Sequence, residues 1–285
     1  MSIRKILVPV FQDADFSAQL EAAYQLARKD GAHINAVFMR PDAIALAATM
    51  PDMLVAAGIT IDQIEGEGRA AEAAAKAKFE AWRQANDIGV EAADDGAKTA
   101  SASWRERVGP VESVVVELGR VSDITILNRP DNYDAVTYRA FDAAVFETGR
   151  PTLIVPETVP ENLLHQVIVA WNSSIEVTRA VAGAMPLLSA ADHVSVFTAP
   201  AHTDEAIRDL HLGEQLAWHG IRAHYLPATA ATETVGPALL KAATDHHATM
   251  LVMGAYTHSR IRELLLGGVT RHIVRHTHIP VLMMH

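Results

Sequence analysis

The apolar runs of this sequence fall into two matching sets, and that internal repeat limits the available folds more than any other feature. Ile6-Leu7-Val8-Pro9-Val10 has a counterpart in Val167-Ile168-Val169-Ala170-Trp171, each followed by a polar turn and an alanine-containing helical pattern. Ile34-Asn35-Ala36-Val37-Phe38 is matched by Val194-Ser195-Val196-Phe197, and Ile124-Thr125-Ile126-Leu127 by Met250-Leu251-Val252-Met253. Both sets close on a proline-led run, Pro151-Thr152-Leu153-Ile154-Val155 and Pro280-Val281-Leu282-Met283-Met284. Short, continuously apolar strands alternating with helices indicate parallel sheets covered on both faces. The period is about half the chain, far too long for a solenoid. The expectation is therefore an α/β chain with two doubly wound, parallel, five-stranded sheets in tandem, divided into 1–156 and 157–285.

The stretch from Ile6 to Pro151 is longer than that from Val167 to Pro280 by 32 residues, and nearly all of the excess lies between the second and fourth strands. This places an insertion near residues 42–86. Its second part, Glu67 to Ala85, is alanine-rich with Phe79 and Trp82 three apart, a helical pattern. An extra helical pair covering the sheet is the plain reading of it, and a lid or partner-binding surface the alternative.

Composition removes whole classes of function. The chain has no cysteine, which excludes disulfide scaffolds, thiol nucleophiles and cysteine-ligated metal centres. A net charge of −10 and few aromatic residues argue against nucleic acid as a partner. The most apolar stretch, Ala43 to Ile61, is interrupted by Pro51, Asp52 and Gly58, so no membrane span is expected. Met1 to Lys5 leads directly into a strand-like run and not into a signal peptide, which points to the cytoplasm.

Ligands of open parallel sheets bind beyond the carboxyl ends of the strands, where the winding direction reverses. In the second half those ends are Ala170-Trp171-Asn172-Ser173-Ser174 and Gly254-Ala255-Tyr256-Thr257. From Gly254 the chain runs through Arg260 and Arg262 to Gly267-Gly268-Val269-Thr270, which opens the last helical pattern, followed by Arg271 and Arg275. A helix N-terminus with glycines offers bare amides to an anion. Alone, Gly254 equally reads as a strand end and Gly267-Gly268 as a helix cap.

This segment resembles the signature of the ATP-binding universal stress proteins, Gly-x2-Gly-x9-Gly-Ser/Thr, and the framework resembles that family along essentially the whole chain. The spacing is kept, but Thr257 stands at the second glycine and Gly268 at the Ser/Thr, and Asn172 stands where the family usually has an aspartate toward the ribose. The resemblance implies Rossmann-like, adenine nucleotide alpha hydrolase-like domains and an adenine nucleotide in the second, ATP with or without Mg²⁺. Gly254, Ala255, Gly267, Gly268, Val269 and Thr270 would cradle the phosphates, with Thr257 in the same nucleotide-binding loop, Asn172 would meet the ribose, Ala170 with Met253 would line the adenine side, and Trp171 would sit beside the ligand. It also implies an intramolecular pseudo-dimer through the last strands, Thr152–Val155 and Leu282–Met284, with a homodimer as a further possibility. The first half, with Asn128-Arg129-Pro130-Asp131-Asn132 and Tyr138-Arg139 at the corresponding places, lacks the glycines and suits a structural role or another ligand. Asp13 and Asp15 read there as solvated turn carboxylates.

Other chemistry finds less support. His272 and His276 share a helical spacing, with His278 nearby, but no carboxylate or cysteine completes a metal site. Ser173, Ser174 and Ser259 lack a nucleophile elbow, and the Gly-x4-Gly-Lys-Ser/Thr loop of motor ATPases is missing. No catalytic residue is assigned; hydrolysis, where it occurs, is expected to be slow. The expected function is stress-response regulation through a bound nucleotide. A nucleotide-independent module acting on protein partners, through the 42–86 insertion, is the second reading, favoured by the altered loop residues.

Overall fold

The computed structural model describes residues 2–90, 99–130, 135–198, 206–226, 234–255 and 268–285. They form two compact units, one of Ile3–Thr125 and Tyr133–Thr148, the other of Met1–Ser2, Ile126–Asn132 and Gly149–His285.

The first unit begins with β1 (Lys5–Phe11), α1 (Ser17–Asp30) and β2 (His33–Arg40), and continues through α2 (Ala43–Thr49), α3 (Pro51–Ala57) and α4 (Ile61–Ala85) to β3 (Ser101–Val108). After α5 (Val111–Arg120), β4 (Ile124–Asn128) and α6 (Ala135–Glu147) complete the first half. The parallel order is β3-β2-β1-β4. Ile6, Leu7, Val8 and Val10 of β1 are fully buried, as expected for a central strand covered on both faces. Pairing of β1 with β4 runs through Ile6 and Leu7 only; Pro9, which has no N–H to give, lies beyond it.

The second unit holds β5 (Thr152–Val155), β6 (Gln166–Trp171), α7 (Ile175–Leu188), β7 (His193–Thr198), α8 (Ala206–Trp218) and β8 (Ala223–Tyr225). It closes with α9 (Val235–Asp245), β9 (Met250–Gly254), α10 (Gly268–His276) and β10 (Val281–Met284). The strand order is β5-β10-β9-β6-β7-β8, all parallel except β5, which runs antiparallel to β10 with Leu153 opposite Leu282. The winding reverses between β6 and β9, and this fold class places ligands beyond the C-terminal ends of the strands at such a reversal.

The insertion resolves into two parts. Helix α4 is the ordinary crossover from β2 to β3, made 25 residues long where its counterpart α8 has 13. It starts with a capping box in which Thr60 and Gln63 serve each other's backbone amides. It is anchored by the fully buried Phe79, whose ring lies 5.3 Å from Trp104 of β3, while Trp104 Nε1 donates to Glu72 at 2.7 Å. The extra helical pair is α2 and α3. It does little to cover the sheet, because only Ala43 and Leu54 of these two helices are buried.

Candidate functional site

The end of β6 is shaped by a tight turn. Ser173 takes a left-handed backbone conformation (φ 57°), uncommon for a residue with a side chain. Asn172 Oδ1 accepts from Ser174 N at 3.2 Å, and Ser174 Oγ accepts from Val177 N at 3.3 Å as the N-cap of α7. The serines singled out at this position are therefore turn and cap residues. Asn172 is exposed with its carbonyl oxygen engaged, so toward a ligand hydroxyl it acts through its Nδ2 donors.

Ala170 of β6 sits in register with Met253 of β9, which brings together the two residues expected on the adenine side. Met253 is buried and Ala170 half-buried. Across β6 and β7, Trp171 is in register with Thr198, so both side chains project to the same face. The indole Nε1 of Trp171 and the hydroxyl of Thr198 are each buried without a hydrogen-bond partner among the described residues. Two orphaned polar atoms on neighbouring strands are costly, and they lie at the carboxyl ends where a ligand would supply partners.

The glycines divide by role. A Cβ at Gly254 would come within 2.6 Å of Val177 N and 2.9 Å of the Glu176 carbonyl carbon, so glycine is required there to let the end of β9 pass against the first turn of α7. At Gly268, the first position of α10, a Cβ would meet nothing within 4 Å among the described residues, and the backbone is not left-handed. Val269 is half-exposed and Thr270 buried. Ala255, also expected along the phosphates, is fully buried; its amide donates to Met284 O at 2.9 Å and its carbonyl lies 3.0 Å from His285 Nδ1, so its backbone is committed to the protein. Thr257, Gly267, Arg260 and Arg262 lie outside the described residues.

Helix α10 is held from its far end. Arg129 Nη1 donates to Thr277 O at 2.9 Å, a cation on the last carbonyls where the helix dipole is negative. Sequence reasoning placed Arg129 only in a degenerate loop; its contact spans 148 positions, and no local pattern announces it. Nε of Arg271 is buried and has no hydrogen-bond partner among the described residues. The His272 and His276 rings lie 4.6 Å apart between centroids, and burial, then the neighbouring His276, holds His272 below the usual imidazole range. Among the described residues no group of three or more His, Asp or Glu is arranged to hold a metal ion.

In the first unit, the corner beyond β1 is a cleft of about 530 Å³ lined by Phe11, Asp13, Asp15, Phe38, Ala75 and Lys78. Helix α4 forms one wall of it. Asp15 is held below the usual carboxylate range by hydrogen bonds from Ser17, so it is a turn carboxylate as read from the sequence. Tyr138 and Arg139 lie within α6, with Arg139 Nε 3.2 Å from Glu112 Oε1.

Comparison with known proteins bears first on the second unit. Residues 169–285 match the model of the universal stress protein family. Over those residues the chain is similar to the universal stress proteins. The universal stress protein fold extends over the entire chain: a universal stress protein from Archaeoglobus fulgidus DSM 4304 superposes with a TM-score of 0.70 at 16% identity, covering 99% of this chain and 96% of that one. A putative universal stress protein from Pseudomonas aeruginosa UCBPP-PA14 gives a TM-score of 0.56 at 16% identity, covering 99% and 93%. No curated protein sequence matches. Among the described residues, no helix is long and apolar enough to cross a membrane.

Proposed function

We propose that the universal stress protein domain of the second half binds an adenine nucleotide, ATP, as a regulatory ligand and holds it without substantial catalysis. The observation that carries this reading is Gly268, at the first position of α10, where a Cβ would meet nothing within 4 Å among the described residues. First-turn amides have no partner within their own helix and attract phosphate. Trp171 Nε1 and the Thr198 hydroxyl, without partners among the described residues, supply polar contacts for a base or sugar one strand away, and Asn172 offers donors to the ribose. Ala255, with its amide already used, serves as packing beneath the phosphates. Binding without turnover fits the missing Gly-x4-Gly-Lys-Ser/Thr loop, since in-line phosphoryl transfer relies on such a cradle with its metal. Cytoplasmic residence agrees with a chain that carries no cysteine.

Calorimetric titration with ATP, ADP and AMP tests the reading. One ATP is expected per chain, because the first half lacks the glycines. Gly268→Val is expected to leave the melting temperature nearly unchanged, since among the described residues nothing lies within 4 Å of a Cβ there, while weakening ATP at least about tenfold. Quenching of Trp171 fluorescence by ATP, abolished in Trp171→Phe, would place the ligand at β6. Millimolar or weaker affinity for every nucleotide in the unmodified protein would remove the proposal.

A further inference from the structure

Helices α2 and α3 are seven residues each, well below the length of about 12–15 at which helices become even marginally stable alone. Proteins normally secure such short helices by burying an apolar face. Here the apolar residues point the other way: Val55 is 82% exposed, Ile44 66% and Met53 59%, with Met50, Ile59 and Ile61 also exposed. Half of the large apolar residues exposed among the described residues thus lie within one short segment, and exposed apolar surface gathered in this way marks an interaction site.

The charge around the segment identifies the occupant. From Pro41 to Gly68 the chain carries Asp42, Asp52, Asp62, Glu65 and Glu67 and no Lys, Arg or His; of these Glu65 is ion-paired at 3.0 Å with Arg69, just beyond the segment. A second copy presenting the same surface would set these carboxylates against their own kind. A cytoplasmic lipid surface is itself anionic and would be repelled. An apolar surface with two methionines and an acidic surround fits a basic amphipathic helix, whose apolar face meets Ile44, Met53 and Val55 while its lysines and arginines meet the carboxylates. We infer that α2 and α3 form a docking surface for a basic amphipathic helix presented by a partner protein. This inference rests on the first unit alone and stands whether or not the second binds a nucleotide.

The test uses the full chain and a fluorescein-labelled Leu/Lys amphipathic helix of about 18 residues, with a Leu/Glu peptide of the same pattern as control, followed by fluorescence anisotropy. The Leu/Lys peptide is expected to bind, to lose affinity as salt is raised, and to bind the Met53→Ser/Val55→Ser double variant at least about tenfold more weakly. Because both side chains are exposed, that variant is expected to melt as the unmodified protein does; Asp52→Lys/Asp62→Lys provides an independent variant expected to lose binding to the same degree. Undiminished binding in either double variant, or equal binding of the Leu/Glu peptide, overturns the inference. So does a concentration-dependent dimer that Met53→Ser/Val55→Ser abolishes, which would make the occupant a second copy. Binding to phosphatidylserine vesicles that the same variant abolishes would make it a membrane and overturn the inference equally.

Discussion

Gly254 and Gly268 show how one residue type serves two ends. Gly254 is the first glycine of the spacing that links this sequence to the universal stress proteins, whereas Gly268 stands where that spacing has Ser/Thr. Their surroundings separate them. Backbone atoms of Val177 and Glu176 stand within 3 Å of where a Cβ would be at Gly254, and backbone cannot swing aside as a flexible side chain can. Gly254→Ala is expected to destabilise the protein by about 1–3 kcal/mol, read as a lower denaturation midpoint with no nucleotide present. An unchanged midpoint would show that β9 and α7 can separate without cost and that the glycine is there for a ligand instead. Gly268, where a Cβ would meet nothing within 4 Å among the described residues, is the position where substitution should cost binding and not folding.

At the level of elements, the strand pair β2 and β3 is tied by a histidine as well as by its backbone ladder. His33 of β2 places Nδ1 2.9 Å from Ser101 Oγ and Nε2 2.8 Å from Ser103 Oγ, both on β3. Burial, reinforced by the positive charges of Arg105 and Lys5, holds His33 below its ordinary value of 6.5. In the unfolded chain the imidazole takes up a proton at its ordinary value, whereas the folded protein resists until a lower pH. Between those two values the unfolded state binds more protons, so the stability contributed by neutral His33 is full above 6.5 and declines as pH falls. The melting temperature is expected to drop between about pH 7.5 and about pH 5.5, and to drop less in His33→Gln over the same interval. Equal slopes would assign the dependence to other groups, of which His272 is the first to consider.

For the whole molecule, the question is where one unit ends and the next begins. The repeat divides the chain after Pro156, yet β5 clusters with the second unit and is hydrogen-bonded along β10, with Leu153 and Ile154 fully buried. A fragment of residues 157–285 would leave the backbone edge of β10 unpaired, a hazard for aggregation and a loss of burial. A fragment of residues 149–285 is expected to be monomeric and to melt at higher temperature than one of residues 157–285, as read by calorimetry and size exclusion. Equal melting temperatures would mean that β10 needs no strand beside it.

Sequence alone determined the doubly wound architecture, because its information is local: apolar runs of strand length, helical periodicity between them, and a repeat visible by inspection. It also singled out the ends of the first and fourth strands of the second half, β6 and β9, which the structure pairs side by side. Tertiary structure decided what the local pattern cannot encode. Arg129 reaches the end of α10 from 148 positions away, Ala255 spends its amide on Met284, and the apolar residues of α2 and α3 face outward although their composition reads as core. Hydrophobicity says that a side chain gains by leaving water; only the packed chain decides whether its own interior or another molecule provides the place.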